Sequence, residues 1–141
     1  MKTYDPAQIV VTLGPYLLSG FAEGTFVKVS RDEDAFLKKT GVDGETARAR
    51  NKNRGGKVEL TLLQSSASND TLSAIAQAGE LTGTDVYPLL IKDLLGTTLV
   101  MAPLAWPQKP ADVEEGKEIS DRAWTIDCAS PMQMTVGGQN P

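Results

Sequence analysis

The chain of 141 residues contains no histidine. That removes the Ser–His and Cys–His nucleophile pairs, the common zinc and iron sites, and the side chain most used for proton transfer near neutral pH. Most simple hydrolase chemistry goes with it. There is one cysteine, Cys128, so an internal disulfide framework is excluded. Cys128 is expected to be a small core residue rather than a nucleophile, since free buried cysteine behaves as a small apolar side chain. No apolar run approaches the roughly 20 residues needed to span a bilayer. The N-terminal "MKTYDPAQIVVTLG" lacks the long apolar region of a signal peptide, which predicts synthesis in the cytoplasm and no membrane anchor. The G-x-S-x-G, Walker A, G-x-G-x-x-G and C-x-x-C motifs are absent. Gly116-Lys117 in "EEGKEIS" lacks both the upstream glycine and the following Ser or Thr of a phosphate loop, and reads as a turn. Neither an enzyme nor a bound cofactor or metal is expected.

What remains is an ordinary globular composition, 40% hydrophobic and 23% charged, with a net charge of -4 that argues against a whole-domain nucleic-acid binder. The length predicts a single domain over residues 1–141, able to bury about two-thirds of its unfolded surface.

Strand signals dominate. "QIVVTL" followed by "GPYLLSG" reads as a hairpin with a Gly-Pro turn, and "GTFVKVSRD" as a strand that "DAFLKKTG" could continue in the same sheet. The strongest alternation is in "GGKVELTLLQSS", with Val58, Leu60 and Leu62 on one face. "VYPLLIKD", "TTLVMAPLAWPQK" and "DRAWTIDC" follow, with Pro88, Pro103 and Pro107 pushed to edges, bulges or strand ends. "SPMQMTVGGQNP" sets Met132, Met134 and Val136 on one face before a Gly-Gly tail expected to be flexible. One helix is predicted over about 69–79, capped by Ser68, Asn69 or Asp70, with Leu72, Ile75 and Ala76 as its apolar stripe and Gly79 as its stop. Together these predict a mainly β fold: an antiparallel β-sandwich or half-barrel, one short flanking helix and a long hairpin arm.

The charge distribution is less ordinary. Arg48, Arg50, Lys52, Arg54 and Lys57 place five of fourteen basic residues within ten positions, with no acid among them. The first four occupy every second position, so in an extended chain they share one face, while Ala47, Ala49, Asn51 and Asn53 share the other. Gly55 and Gly56 separate this run from the strong strand and permit a bend or bulge, which predicts a basic arm or loop over about 40–57. Neighbours on one strand face lie roughly 7 Å apart and repel by about 0.6 kcal/mol in water, and by a few times more beside a low-dielectric surface. A solvated loop tolerates that. A packed surface does so only with acids opposite. Asp112, Glu114, Glu115, Glu118 and Asp121 against Lys117 form a nearly mirror-image acidic segment. Nothing fixes a second ligand cluster opposite those acids, so a solvated acidic loop is a better reading than a catalytic or metal site. Three uses of the basic run stay open: a solvated loop, a nucleic-acid contact, and an assembly arm reaching acids of another subunit. The run has no aromatic interleaving, which weakens the second.

The stretches "FVKVSRDEDAFLKKTGVDGE", "LTLLQSSASNDTLS" and "IKDLLGTTLV" resemble the tail tube proteins of contractile-tailed bacteriophages, and the resemblance extends from Thr3 to Gly138. It implies a non-enzymatic virion component of a phage tail that forms hexameric rings with joined sheets. The rings stack into a tube inside a contractile sheath, meeting terminator and baseplate proteins at the tube ends. DNA passes through the lumen only in transit. Within that resemblance, Arg48, Arg50, Lys52, Arg54 and Lys57 are expected to contact a neighbouring subunit or ring away from the lumen, with Asp112, Glu114, Glu115 and Glu118 as their expected partners. A small nucleic-acid-binding module using residues 48–57 is the alternative.

Overall fold

The computed structural model describes all 141 residues. Ten strands and one helix follow in order: β1 Ile9–Leu13, β2 Tyr16–Leu18, β3 Val27–Arg31, β4 Phe36–Thr40, β5 Thr46–Arg50, β6 Gly56–Leu63, α1 Ser68–Thr82, β7 Tyr87–Asp93, β8 Leu99–Pro107, β9 Asp121–Cys128 and β10 Gln133–Thr135. Eight strands form one antiparallel sheet in the order β2-β1-β7-β8-β9-β6-β3, with β10 on β8. The predicted mainly β, antiparallel architecture is the one observed.

The alternation in β6 decides the core. Val58, Leu60 and Leu62 are fully buried and pair across the ladder with Ile126, Trp124 and Arg122 of β9. They join a single apolar cluster that also takes Val11 and Leu13 of β1, Leu89 and Ile91 of β7, and Leu72 and Ile75 of α1. Fully burying one such aliphatic side chain contributes about 1.5–3 kcal/mol. Cys128 is buried in the same cluster. Burial, followed by the nearby charges of Asp127 and Asp32, pushes its thiol up to about 11, so it stays protonated and inert.

The prolines fall at interruptions: a register shift between Tyr87 and Leu89 marks a bulge beside Pro88, and Pro103 lies in the facing stretch of β8 where one extra residue is accommodated. Pro107 ends β8.

Four local expectations are corrected. The helix runs past Gly79 to Thr82 and stops at Gly83, whose φ of 71° is left-handed and whose N–H donates to the Gly79 carbonyl at 3.0 Å. Gly79 is instead a close-approach position, since a Cβ there would strike the Asp85 carboxylate. Ser68, Asn69 and Asp70 lie inside the helix, and its N-cap Ala67 has no side-chain bond. The Asn69 side chain donates to the carbonyls of Leu63 and Ser66 and accepts from the Trp124 indole N–H at 2.9 Å, fastening the β6–α1 turn to the core.

Second, β4 does not continue the main sheet. It pairs only with β5, in register from Phe36↔Arg50 to Thr40↔Thr46, as a separate ribbon. Third, Gly55 and Gly56 do not adopt positive φ. They are small because the backbones meet closely: a Cβ on Gly55 would lie 2.8 Å from the Cys128 carbonyl, and one on Gly56 would strike the Ser30 carbonyl and the Met132 methyl. Fourth, the apolar stripe ends early. Met132 is fully buried, but Val136 is exposed, and the Gly137–Gly138 segment is bound to the β7–β8 turn through Thr97 N–H to Gly138 O at 3.0 Å and Asn140 N–H to Leu95 O at 2.7 Å.

The Gly56 site makes a prediction. Gly56→Ala should lower unfolding free energy by about 2 kcal/mol through overpacking. Gly116→Ala, where a Cβ meets open space, should change it by less than about 0.5 kcal/mol. Urea unfolding of the two variants checks the difference.

Candidate assembly surfaces

The β4–β5 ribbon is the arm. Every residue of both strands is exposed, so the ribbon leans on nothing else in its own subunit. The register sorts its residues into two faces. Arg48 and Arg50 sit opposite Lys38 and Phe36, while Ala47 and Ala49 sit opposite Lys39 and Leu37. Of the cationic and neutral faces implied by the spacing, β5 carries Arg48 and Arg50 on one and Ala47 and Ala49 on the other, while Lys52, Arg54, Asn51 and Asn53 lie beyond the strand's end, and β4 adds Lys38 to the first. Directly opposed like charges such as Lys38 and Arg48 destabilise a strand pair. Part of that cost is offset by Arg48, whose guanidinium lies 4.0 Å over the Phe36 ring. Phe36 is an aromatic neighbour that the basic run lacks in sequence. With Arg48 already on the ring, that face is not open as a stacking platform.

The remaining basic residues separate. Lys52 and Arg54 follow the ribbon in the 51–55 connection and, with Arg50 and Arg31, line a cleft of about 450 Å³ at the arm's base. Arg31 belongs to β3 and was not among the predicted residues. Its Nη2 donates to the Met132 carbonyl at 2.7 Å, which joins the arm's base to the β9–β10 connection. Lys57 stands apart, in β6 on the main sheet, 3.4 Å from Glu59 of the same strand. None of Arg48, Arg50, Lys52 or Arg54 has an acid within ion-pair distance, because the chain's two ion pairs are Lys57–Glu59 and Arg122–Glu115.

The acidic segment lies in the connection from β8 to β9. Glu115 is held by Arg122 at 3.0 Å and by Gln64 at 2.9 Å. Arg122 also donates to the Glu114 carbonyl at 2.9 Å, so this one guanidinium shapes the loop. The carboxylates of Asp112, Glu114 and Glu118 point to solvent without partners, and the apolar Val113 and Ile119 among them are exposed as well. This loop meets the β6–β9 ladder where Leu63 pairs with Asp121, whereas the arm leaves where Gly56 pairs with Cys128. Eight residues of strand separate those points, about 23 Å at about 3.3 Å per residue. The structure thus sets the two charged segments at opposite ends of one ladder and does not bring them together within a subunit.

Two other surfaces are open. β2 and β3 end the sheet with unpaired outer edges. On the sheet face away from the core, Leu17, Thr12, Leu90 and Met101 form one register row across four strands, with Leu17 65% and Met101 45% exposed. No group of three or more metal-ligating side chains converges, and no helix is long and apolar enough to cross a membrane.

No family model matches the chain. Its fold is shared with chains of injection-system and virion particles. The tube-terminating cap of the anti-feeding prophage superposes with a TM-score of 0.65 at 12% identity, over 96% of this chain and 93% of that one. A sheath/tube terminator of the extracellular contractile injection system PVC gives 0.59 at 13% identity, over 96% and 99%. A chain from the virion of a gene transfer agent particle gives 0.61 at 11% identity, over 95% and 100%. In sequence, the chain is similar to Structural protein ORF10 of Pseudomonas phage KPP10, with 26% identity over 146 residues that span 98% of this chain and 84% of that protein.

The arm's base carries a pH dependence. Glu33 accepts from Asn51 at 2.9 Å and from Asn53 at 3.1 Å, and these bonds, Asn51 first, hold its carboxyl below the ordinary glutamate value. The carboxylate is the favoured form, so the order it lends to the 51–53 turn is present above the unfolded-state value and lost as pH falls through the folded one. An NMR titration should place the Glu33 midpoint below that of an ordinary glutamate. The double variant Asn51→Ala, Asn53→Ala should return it to the ordinary value.

Proposed function

We propose that the chain is a structural subunit of the tail tube of a contractile-tailed phage, working in the virion without catalysis. In this reading, copies join edge to edge into hexameric rings. The rings stack into the conduit for DNA inside the sheath, and terminator and baseplate proteins meet the tube at its ends. The likeness to a phage structural protein supports the virion role, and the likeness to tube-terminating and sheath–tube particles supports a place in or on the tube.

The observation that carries the stacking is the separation of charge. Arg48, Arg50, Lys52 and Arg54 lack acids, and Asp112, Glu114 and Glu118 lack cations. The two sets leave opposite ends of the β6–β9 ladder, which supports their pairing between copies. A surface that is complementary to a different patch on the same molecule makes a heterologous contact, which propagates.

A second reading is a tube terminator, since the anti-feeding prophage cap and the PVC sheath/tube terminator share this fold. Negative-stain microscopy of the purified protein separates the two, because a tube subunit stacks into long tubes while a terminator stops at single rings. A monodisperse monomer at every concentration would reject both. Arg50→Glu with Arg54→Glu should abolish stacking and leave the urea midpoint unchanged, since both residues are exposed and unpaired. Adding Glu114→Lys with Glu118→Lys should restore it. Unchanged tubes in the arginine variant would reject the charge pairing, and salt-dependent binding of that arm to short DNA would favour the nucleic-acid alternative.

A further inference from the structure

A groove along edge strand β3, the seam between it and β1, β7 and β8, is unfilled. It holds about 510 Å³ and runs between Val27 and Val29 of edge strand β3 and Ile9, Ile91 and Val100 of β1, β7 and β8. Asp93, only 3% exposed, also lines it. The Asp93 carboxylate accepts from the Leu95 N–H at 2.9 Å and from Gln139 Nε2 at 2.7 Å, yet no cation pairs with it. Beside it, Gln139 Oε1 is buried with no donor. A buried carboxylate without a counter-charge and a carbonyl without a donor both cost stability until a donor reaches them. What fits is an apolar side chain followed at short range by an ammonium or guanidinium group.

The neutral face of the arm has that chemistry. Leu37, Ala47 and Ala49 form an apolar strip that is exposed in its own subunit, with Leu37 at 58%. Lys39 lies two residues beyond Leu37 on the same face, roughly 7 Å away, and has no ion-pair partner. No arm residue lines the groove of its own subunit. We propose that the arm of one copy lays this face into the seam groove of a second copy, with Leu37 among the β3 valines and the Lys39 ammonium on Asp93 and Gln139 Oε1. This rests on the self-assembly reading above and leaves the arginine face of the same arm free for the acidic loop.

Placing p-benzoylphenylalanine at Leu37 of the full chain, photolysing assembled protein and mapping the covalent dimer by mass spectrometry tests it. The cross-link is expected in residues 25–31 or 134–139 of the other copy. Lys39→Glu in the same background should cut dimer yield at least tenfold, and Lys39→Arg should retain it. Both positions are exposed, so circular dichroism should be unchanged. Rings that form while the cross-link maps elsewhere, or fails to appear, overturn the groove assignment and leave the assembly reading standing. A chain that stays monomeric overturns both.

Discussion

The β6–β9 ladder is the constraint on which the rest of the molecule depends. It is the longest pairing in the sheet, eight residues in unbroken register, and its inward side chains Val58, Leu60, Trp124 and Ile126 sit at the centre of the core. Loss of any one of them would leave a cavity costing a few kcal/mol. The ladder also fixes where charge can go. At its Gly56 end, where only a glycine fits against Met132 and the Ser30 carbonyl, the preceding chain is the arm. Its Leu63 end turns into α1 on one strand and receives the acidic loop on the other, with Arg122 shaping that loop.

Much of this was legible in the sequence where a single segment carries its own signal. The alternation of Val58, Leu60 and Leu62 encodes a half-buried strand without reference to anything else, whereas the period of two from Arg48 to Arg54 holds as a strand face only for Arg48 and Arg50, since β5 ends at Arg50. What could not be read depends on which segments meet. Lys38 joins the cationic face only through the β4–β5 register, and Phe36 reaches Arg48 by the same route. Gly79 and Gly83 are equally good helix stops by residue type. The left-handed conformation falls on Gly83, while Gly79 gives room to the Asp85 carboxylate. Gly55 and Gly56 stand out in the sequence as a pair, but the physical demand on them is space against Cys128 and Met132 rather than backbone freedom.

The arm shows how stability and assembly are set against each other. An isolated two-stranded ribbon is marginal in water, and this one adds the Lys38–Arg48 opposition. Natural sheets blunt exposed edges with charge, above all lysine, to prevent indiscriminate pairing. Here the cations on both strands serve that end in the free subunit. Salt and solvent screen them at low cost there, whereas in the proposed assembly an acid-lined surface on another copy would turn the same charges into attraction.

The two charged segments join the β6–β9 ladder at ends about 23 Å apart, which bears on the proposed self-assembly. Were the arm able to reach Glu114 and Glu118 of its own subunit, the pairing would be intramolecular, with a high effective concentration, and no copy would offer a free end. No ion pair joins arm and loop within the subunit, so under the proposed self-assembly each contact would leave one unsatisfied cationic arm and one unsatisfied acidic loop at the ends of a stack. A contact of that kind does not saturate after two copies, which is the physical requirement for a tube.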